Sequence, residues 1–261
     1  MKNRMFVIIV ILAISIILLQ FPKVETQTIQ QEEFSNLKLN ISTDKQEYFL
    51  LEPIPITFEV SNPTSSIIMG HTSFNLRSNR TALLIRKDNG EEERFIGFSP
   101  RPKQIGIIPR PIKPGETHHV EELLDYRLSE MFPTPGEYQI QAIFYNEDKQ
   151  KAFSNTITIE ILAPEGLNKN AYDFINQSSI AGMFFTGSSR LKEQEKVWKR
   201  FLLNYSETVY TDYVTFILGE QLFSGGKFEE AEILLQKLTS KTKFVFSEKV
   251  KDYLLKIDQK Q

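Results

Sequence analysis

The apolar residues of this chain change their spacing once, at Pro164-Glu165-Gly166. Upstream the period is two. Leu37, Leu39 and Ile41 alternate with polar residues, and Ile54, Ile56, Phe58 and Val60 do the same before Asn62-Pro63. Ala82 to Lys87 and Glu93 to Phe98 flank Asp88-Asn89-Gly90, a hairpin signal. Tyr138, Ile140, Ala142 and Phe144 alternate after Pro135-Gly136, and Thr156 to Ile161 precede Pro164. Strict alternation puts one face of a strand in a core. Short strands with turn residues and no clear helix between them predict an antiparallel β-sandwich over residues 36–163.

Downstream the spacing is helical. Tyr172 and Ile175 open a short helix, and Val197, Trp198, Phe201, Leu202 and Tyr205 share one face. Tyr210, Tyr213, Val214, Ile217 and Leu218 form the next stripe, broken by Gly225-Gly226. Phe228, Ala231, Leu234, Leu235 and Leu238 come next, then Val250, Tyr253, Leu254 and Ile257. Residues 164–261 are therefore expected to form four or five short amphipathic helices.

The N-terminus reads as an address. Lys2 and Arg4 precede an apolar run from Met5 to Leu19, interrupted only by Ser15 and closed by Gln20, Pro22 and Lys23. That is the charge-then-apolar order of a secretory signal, with Val24 and Thr26 available at the cleavage end. A helix of this run rises about 25 Å against a hydrocarbon core of about 30 Å. Residues 1–27 are read as a signal peptide or a retained N-terminal membrane anchor, and residues 28–35 as a linker. A buried soluble helix would need a polar face, which the run lacks. In both export readings the rest of the chain lies outside the cytoplasm, with the basic residues inside.

Composition narrows the chemistry. Lys+Arg 31 against Asp+Glu 33 gives a net charge of −2, so no global field draws the chain to nucleic acid. Without cysteine there is no disulfide, thiolate zinc site or thiol nucleophile. Three histidines leave little room for imidazole chemistry. His118 and His119 are adjacent, so on a strand they point to opposite faces and do not easily share a metal, even with His71 or Glu121 nearby. G-x-S-x-G and H-E-x-x-H are absent. Ser189 and Lys192 match S-x-x-K without its partner motifs, and Gly187-Ser188-Ser189 reads as a helix cap rather than a phosphate loop. The run Glu91-Glu92-Glu93 beside the hairpin reads as a solvated edge. No catalytic residue, cofactor or metal ligand is assigned.

Arg101 to Gly115 stands out. Arg101, Lys103, Arg110 and Lys113 occur among Pro102, Pro109, Pro111 and Pro114 with no acid. Repeated proline keeps such a segment out of a central strand. It is either a long connection across one end of the sandwich or a protruding loop for an anionic partner, with those four basic residues as its contacts.

From Tyr210 to about Thr242 the spacing resembles a tetratricopeptide repeat: Leu218-Gly219, then Gly226, Phe228 and Ala231 at matching offsets. Phe201 to Glu207 resembles the end of a preceding repeat, with Ser206 in place of proline. Thr215 stands at the family's Trp position, and the terminal proline is missing. Gly219 and Ala231 are expected to face the crossing of two helices. The β part resembles bacterial extracellular immunoglobulin-like modules through Asp44-Lys45 with Tyr48, Glu52-Pro53-Ile54, Lys113-Pro114-Gly115-Glu116 and Pro135-Gly136-Glu137-Tyr138. A bacillus-type proteinase-inhibitor module is a similar sandwich, but its characteristic hairpin is absent here.

These resemblances imply a non-enzymatic, exported bacterial cell-envelope protein, periplasmic or extracytoplasmic. It would act as an adaptor or scaffold for another envelope protein. Its contact with the membrane would be only through an uncleaved N-terminus. The alternative from another class is a glycan- or protease-binding β-sandwich module. An exposed aromatic cluster would favour glycan, but Trp198 falls on a helical stripe.

Overall fold

The computed structural model describes residues 34–71, 76, 80–96, 109–124, 127–146, 149–177, 191–241, 244 and 246–260. Residues 1–27 and the export reading placed on them lie outside this set. Residues 31–261 form one compact unit. Among the described residues no helix is long and apolar enough to cross a membrane.

The strands are β1 (Lys38–Thr43), β2 (Glu47–Phe49), β3 (Ile54–Ser61), β4 (Ile68–His71), β5 (Thr81–Lys87), β6 (Glu92–Ile96), β7 (Pro109–Ile112), β8 (Thr117–Leu124), β9 (Gly136–Tyr145) and β10 (Lys151–Leu162). A one-turn helix, α1 (Leu128–Met131), separates β8 from β9. The helices after β10 are α2 (Gly166–Ile175), α3 (Leu191–Asn204), α4 (Thr211–Ser224), α5 (Phe228–Thr239) and α6 (Ser247–Asp258).

The expected antiparallel sandwich does not form. The main strands join in one mixed eight-stranded sheet, in the order β6-β5-β9-β10-β1-β3-β8, with β2 beside β10. β4 and β7 make a separate two-stranded sheet. Both β1 and β2 run parallel to β10. Alternation reports which face of a strand is buried, not which strand lies beside it, so it missed these parallel pairs. It also missed β2, β4, β7 and β8, which are short or largely polar.

One junction explains the continuity. β10 changes register between Phe153 and Thr156, a bulge. The Asn155 side chain there imitates a strand backbone: Ile41 N donates to its Oδ1 at 2.7 Å, and its Nδ2 donates to Ile41 O at 3.1 Å. Ser154 Oγ accepts from Ala142 N at 2.8 Å. The sheet bends at this point. In a flat sheet β9 and β3 would be three strand spacings apart, about 14 Å. Yet the rings of Phe58 on β3 and Phe144 on β9 meet edge to face at 5.5 Å. The bend closes the core over Leu39, Ile41, Phe58, Val60, Ile140 and Phe144, all buried.

The tetratricopeptide resemblance does not become a family either. The sheet is succeeded by a small helical region, dominated by the four helices α3 to α6. The spacing of Leu218-Gly219, Gly226, Phe228 and Ala231 specifies a close crossing of two helices, and any tightly crossed pair asks for the same small residues. A Cβ on Gly219 would stand 2.8 Å from Leu235 Cδ2, so α4 and α5 meet there, and Ala231 is fully buried. Gly226 has φ +77° and turns the chain between them, with Lys227 N donating to Leu222 O at 2.9 Å.

Candidate functional site

Of the four basic residues expected to act together, Arg101 and Lys103 lie outside the described residues. Arg110 sits on β7 in register with Gly70 of β4. Lys113 is exposed at the turn into β8, where its amide donates to Glu116 Oε2 at 2.8 Å. The glutamates 91–93 are exposed beside or on the edge strand β6. Trp198 is fully buried, as its stripe predicted.

Two charged clusters stand out. The first closes the turn between β1 and β3. Tyr48 hydroxyl donates to Asp44 Oδ1, and Lys45 Nζ donates to Glu52 Oε1 at 2.6 Å. Glu52 Oε2 accepts the Phe49 amide at 2.9 Å. Glu52 is 4% exposed while Lys45 is 40% exposed. Burial pushes the Glu52 carboxyl above the usual range despite Lys45. The helical region grips this turn: Tyr210 hydroxyl donates to Leu50 O at 2.7 Å. Burial also holds the Tyr48, Tyr210 and Tyr213 hydroxyls well above the usual phenol range. Every acid here is packed or paired, which suits a joint rather than a reaction centre.

The second cluster is an exposed ladder between α3 and α5. Lys199 reaches Glu195 at 2.8 Å and Glu230 at 2.6 Å, and Lys227 reaches Glu195 at 2.7 Å. Hydrogen bonds from Lys199 and Lys227 hold the Glu195 carboxyl below its usual range. The pairing 195 with 227 and 199 with 230 makes the two helices run the same way. One turn further on lie Leu203, four residues after Lys199, and Ile233, three after Glu230, so both stay on the ladder's face. Leu203 is 82% exposed and Ile233 60%. The face thus has a charged end and an apolar end, without a catalytic constellation. Sequence reading missed this pair, although Ile233 falls outside the stripe of Phe228, Ala231, Leu234, Leu235 and Leu238. An apolar residue off the stripe is the signal that was available.

His118 and His119, on β8, do point to opposite faces. His118 Nε2 lies 3.0 Å from Glu116 Oε1, and His119 Nδ1 lies 3.7 Å from Glu59 Oε2. No group of three or more metal-ligating side chains gathers among the described residues.

No protein-family model matches the chain, and no curated protein matches it. Solved structures give distant likenesses. The sporulation control protein Spo0M from Bacillus subtilis is 14% identical, with 54% of each chain covered and a TM-score of 0.32. A β-glucosidase from Erythrobacter marinus is 15% identical over 48% of this chain and 15% of its own, at a TM-score of 0.30. The DNA glycosylase AlkC from Pseudomonas fluorescens is 10% identical over 49% and 30%, at 0.32. This chain spans about half of Spo0M and under a third of the other two, a likeness too distant to carry activity or family across.

Proposed function

We propose that this is a non-enzymatic, exported cell-envelope protein that works by holding another protein. The observation that supports it best is the α3–α5 face, where Leu203 and Ile233 stand exposed one turn beyond the Glu195–Lys199–Lys227–Glu230 ladder. Exposed apolar anchors beside charges that set register are the ordinary ingredients of a protein contact. The export half of the reading rests on Lys2, Arg4 and the apolar run to Leu19. The test pairs localisation with capture. The full chain should fractionate with the envelope, and a version lacking residues 1–27 should not. A partner captured by wild type should be lost at least tenfold in Leu203→Asp and Ile233→Asp. It should be retained by Leu255→Asp, an exposed site on α6. Equal cytoplasmic recovery of both versions overturns export, and capture indifferent to all three substitutions overturns the assigned face.

A further inference from the structure

β8 is the last strand of the eight-stranded sheet, and among the described residues it pairs only with β3. Eight residues long, it is the kind of edge that proteins normally blunt. Its centre reads His118-His119-Val120-Glu121-Glu122: two imidazoles, a valine, two carboxylates. Laid antiparallel to itself, that sequence is complementary in donors and acceptors.

Backbone parity tests whether such a pairing can be made. Asn62 N donates to Glu116 O at 3.1 Å, continuing the β3–β8 register in which Ser61 faces Thr117. Antiparallel ladders alternate hydrogen-bonded and non-hydrogen-bonded pairs. The Glu116 carbonyl and the amide groups of residues 118, 120, 122 and 124 therefore face β3, and Thr117, His119, Glu121 and Leu123 turn theirs outward. A second strand can pair only through those four. With Val120 facing Val120, the outward residues match: His119 faces Glu121, and Thr117 faces Leu123. Sliding the partner two residues either way sets His119 against His119 or Glu121 against Glu121. In the matched register His118 also faces Glu122. His118, Val120 and Glu122 share the half-buried face, and His119 and Glu121 the exposed one, so each pair meets on its own side.

We propose that β8 is a self-association edge, and that a second copy of this chain adds its own β8 antiparallel about Val120 to continue the sheet. The imidazoles stand opposite the partner's carboxylates across the seam, and a protonated ring, with two N–H donors, keeps its contact with Glu116 or Glu59 of its own chain while donating to the partner. At the opposite edge of the sheet, β6 offers no such match, because self-pairing centred on Glu93 or Arg94 sets like charges face to face. The proposal is independent of the α3–α5 face.

The chain has no cysteine, so one introduced thiol reports the seam cleanly. Non-hydrogen-bonded partners have Cα atoms about 4.5 Å apart, within reach of a disulfide. Full-length Val120→Cys, purified in mild detergent and treated with diamide, should give a covalent dimer. Thr117→Cys, which would face Leu123 and not itself, should give at least tenfold less. Adding His118→Glu with His119→Glu to the Val120→Cys chain, or Glu121→Lys with Glu122→Lys, should abolish its dimer. Mixing those two charge variants should restore it, since each then faces the opposite sign. Glu121→Pro in the Val120→Cys background leaves the β3 ladder intact, because the lost amide points outward, and should also abolish it. Circular dichroism confirms that each variant is folded. The proposal is overturned by no dimer in Val120→Cys, by as much dimer in Thr117→Cys, or by a dimer indifferent to charge reversal.

Discussion

The Lys45–Glu52 pair and the Glu195–Lys199–Lys227–Glu230 ladder are built from the same side chains, yet their carboxylates are driven in opposite directions. Glu52 is buried, and loss of hydration raises its pKa against the pull of Lys45. Glu195 keeps more water, and the hydrogen bonds from Lys199 and Lys227 lower its pKa. An ion pair is thus not one kind of interaction. Buried, it is a fixed joint that is costly to break halfway; exposed, it contributes little and leaves its surface usable by a partner.

The largest effect should come from breaking the joint on one side. Lys45→Met leaves Glu52 without its cation while the carboxylate stays buried. Removing one partner of a fully buried pair costs about 3–5 kcal/mol. Lys45 is 40% exposed and Glu52 can take up a proton, so about 2 kcal/mol is expected here. Denaturant melts at neutral pH measure it. A loss below about 0.5 kcal/mol would place this pair with ordinary surface pairs and erase the contrast.

Tyr210→Phe should cost less, about 1 kcal/mol, because it removes a single hydrogen bond, to Leu50 O, without emptying volume. It sharpens the comparison by asking whether the helical region depends on the turn. If it does, the melts of sheet and helices should still coincide in wild type and begin to separate in the variant.

The sign of the pH response separates the two clusters more cleanly than magnitude. Glu52 has a raised native pKa, so the native state holds its proton more tightly than the unfolded chain. Its contribution is fully present below the unfolded value and is lost as pH rises through the native one. Wild type should therefore lose melting temperature relative to Glu52→Gln as pH rises above the ordinary glutamate range. A difference that grows the other way means that Lys45 outweighs burial, and one that stays flat means that the two cancel.

How much of this is legible in the sequence depends on what kind of contact each residue makes. The β strands with alternating apolar residues and the stripes on α2, α3, α5 and α6 can be read, because periodicity is local; α4 is buried on more than one side, so Phe216 and Leu222 fall outside the stripe read for it. Gly219 and Ala231 at the α4–α5 crossing can be read for the same reason. The sheet order cannot. It turns on the Asn155 side chain standing in for backbone beside Ile41, 114 residues away, and on parallel pairs that leave no mark in alternation. Asp44, Lys45, Tyr48 and Glu52 stand in the sequence as a family-like signature, but their place under Tyr210 depends on a contact spanning 160 residues. The basic residues 101 and 103 stand out by composition alone and lie outside the described residues.

The smallest effect should be at the ladder. Lys199→Gln removes contacts to both Glu195 and Glu230, yet all the groups involved keep access to water. Exposed pairs contribute about 0–1 kcal/mol, and helix pairs four residues apart about 0.3–0.5. A loss of at most about 0.5 kcal/mol is expected, shrinking as salt is raised. The pH response should have the sign opposite to that of Glu52. Glu195 has a lowered native pKa, so its contribution is present above the unfolded value and fades as pH falls through the native one. Wild type and Lys199→Gln should therefore converge in acid, whereas wild type and Glu52→Gln converge only below the ordinary glutamate range and part as pH rises. If Lys199→Gln instead costs as much as Lys45→Met, the ladder is a structural brace between α3 and α5. The face carrying Leu203 and Ile233 would then be held rigid for stability rather than left open for a partner.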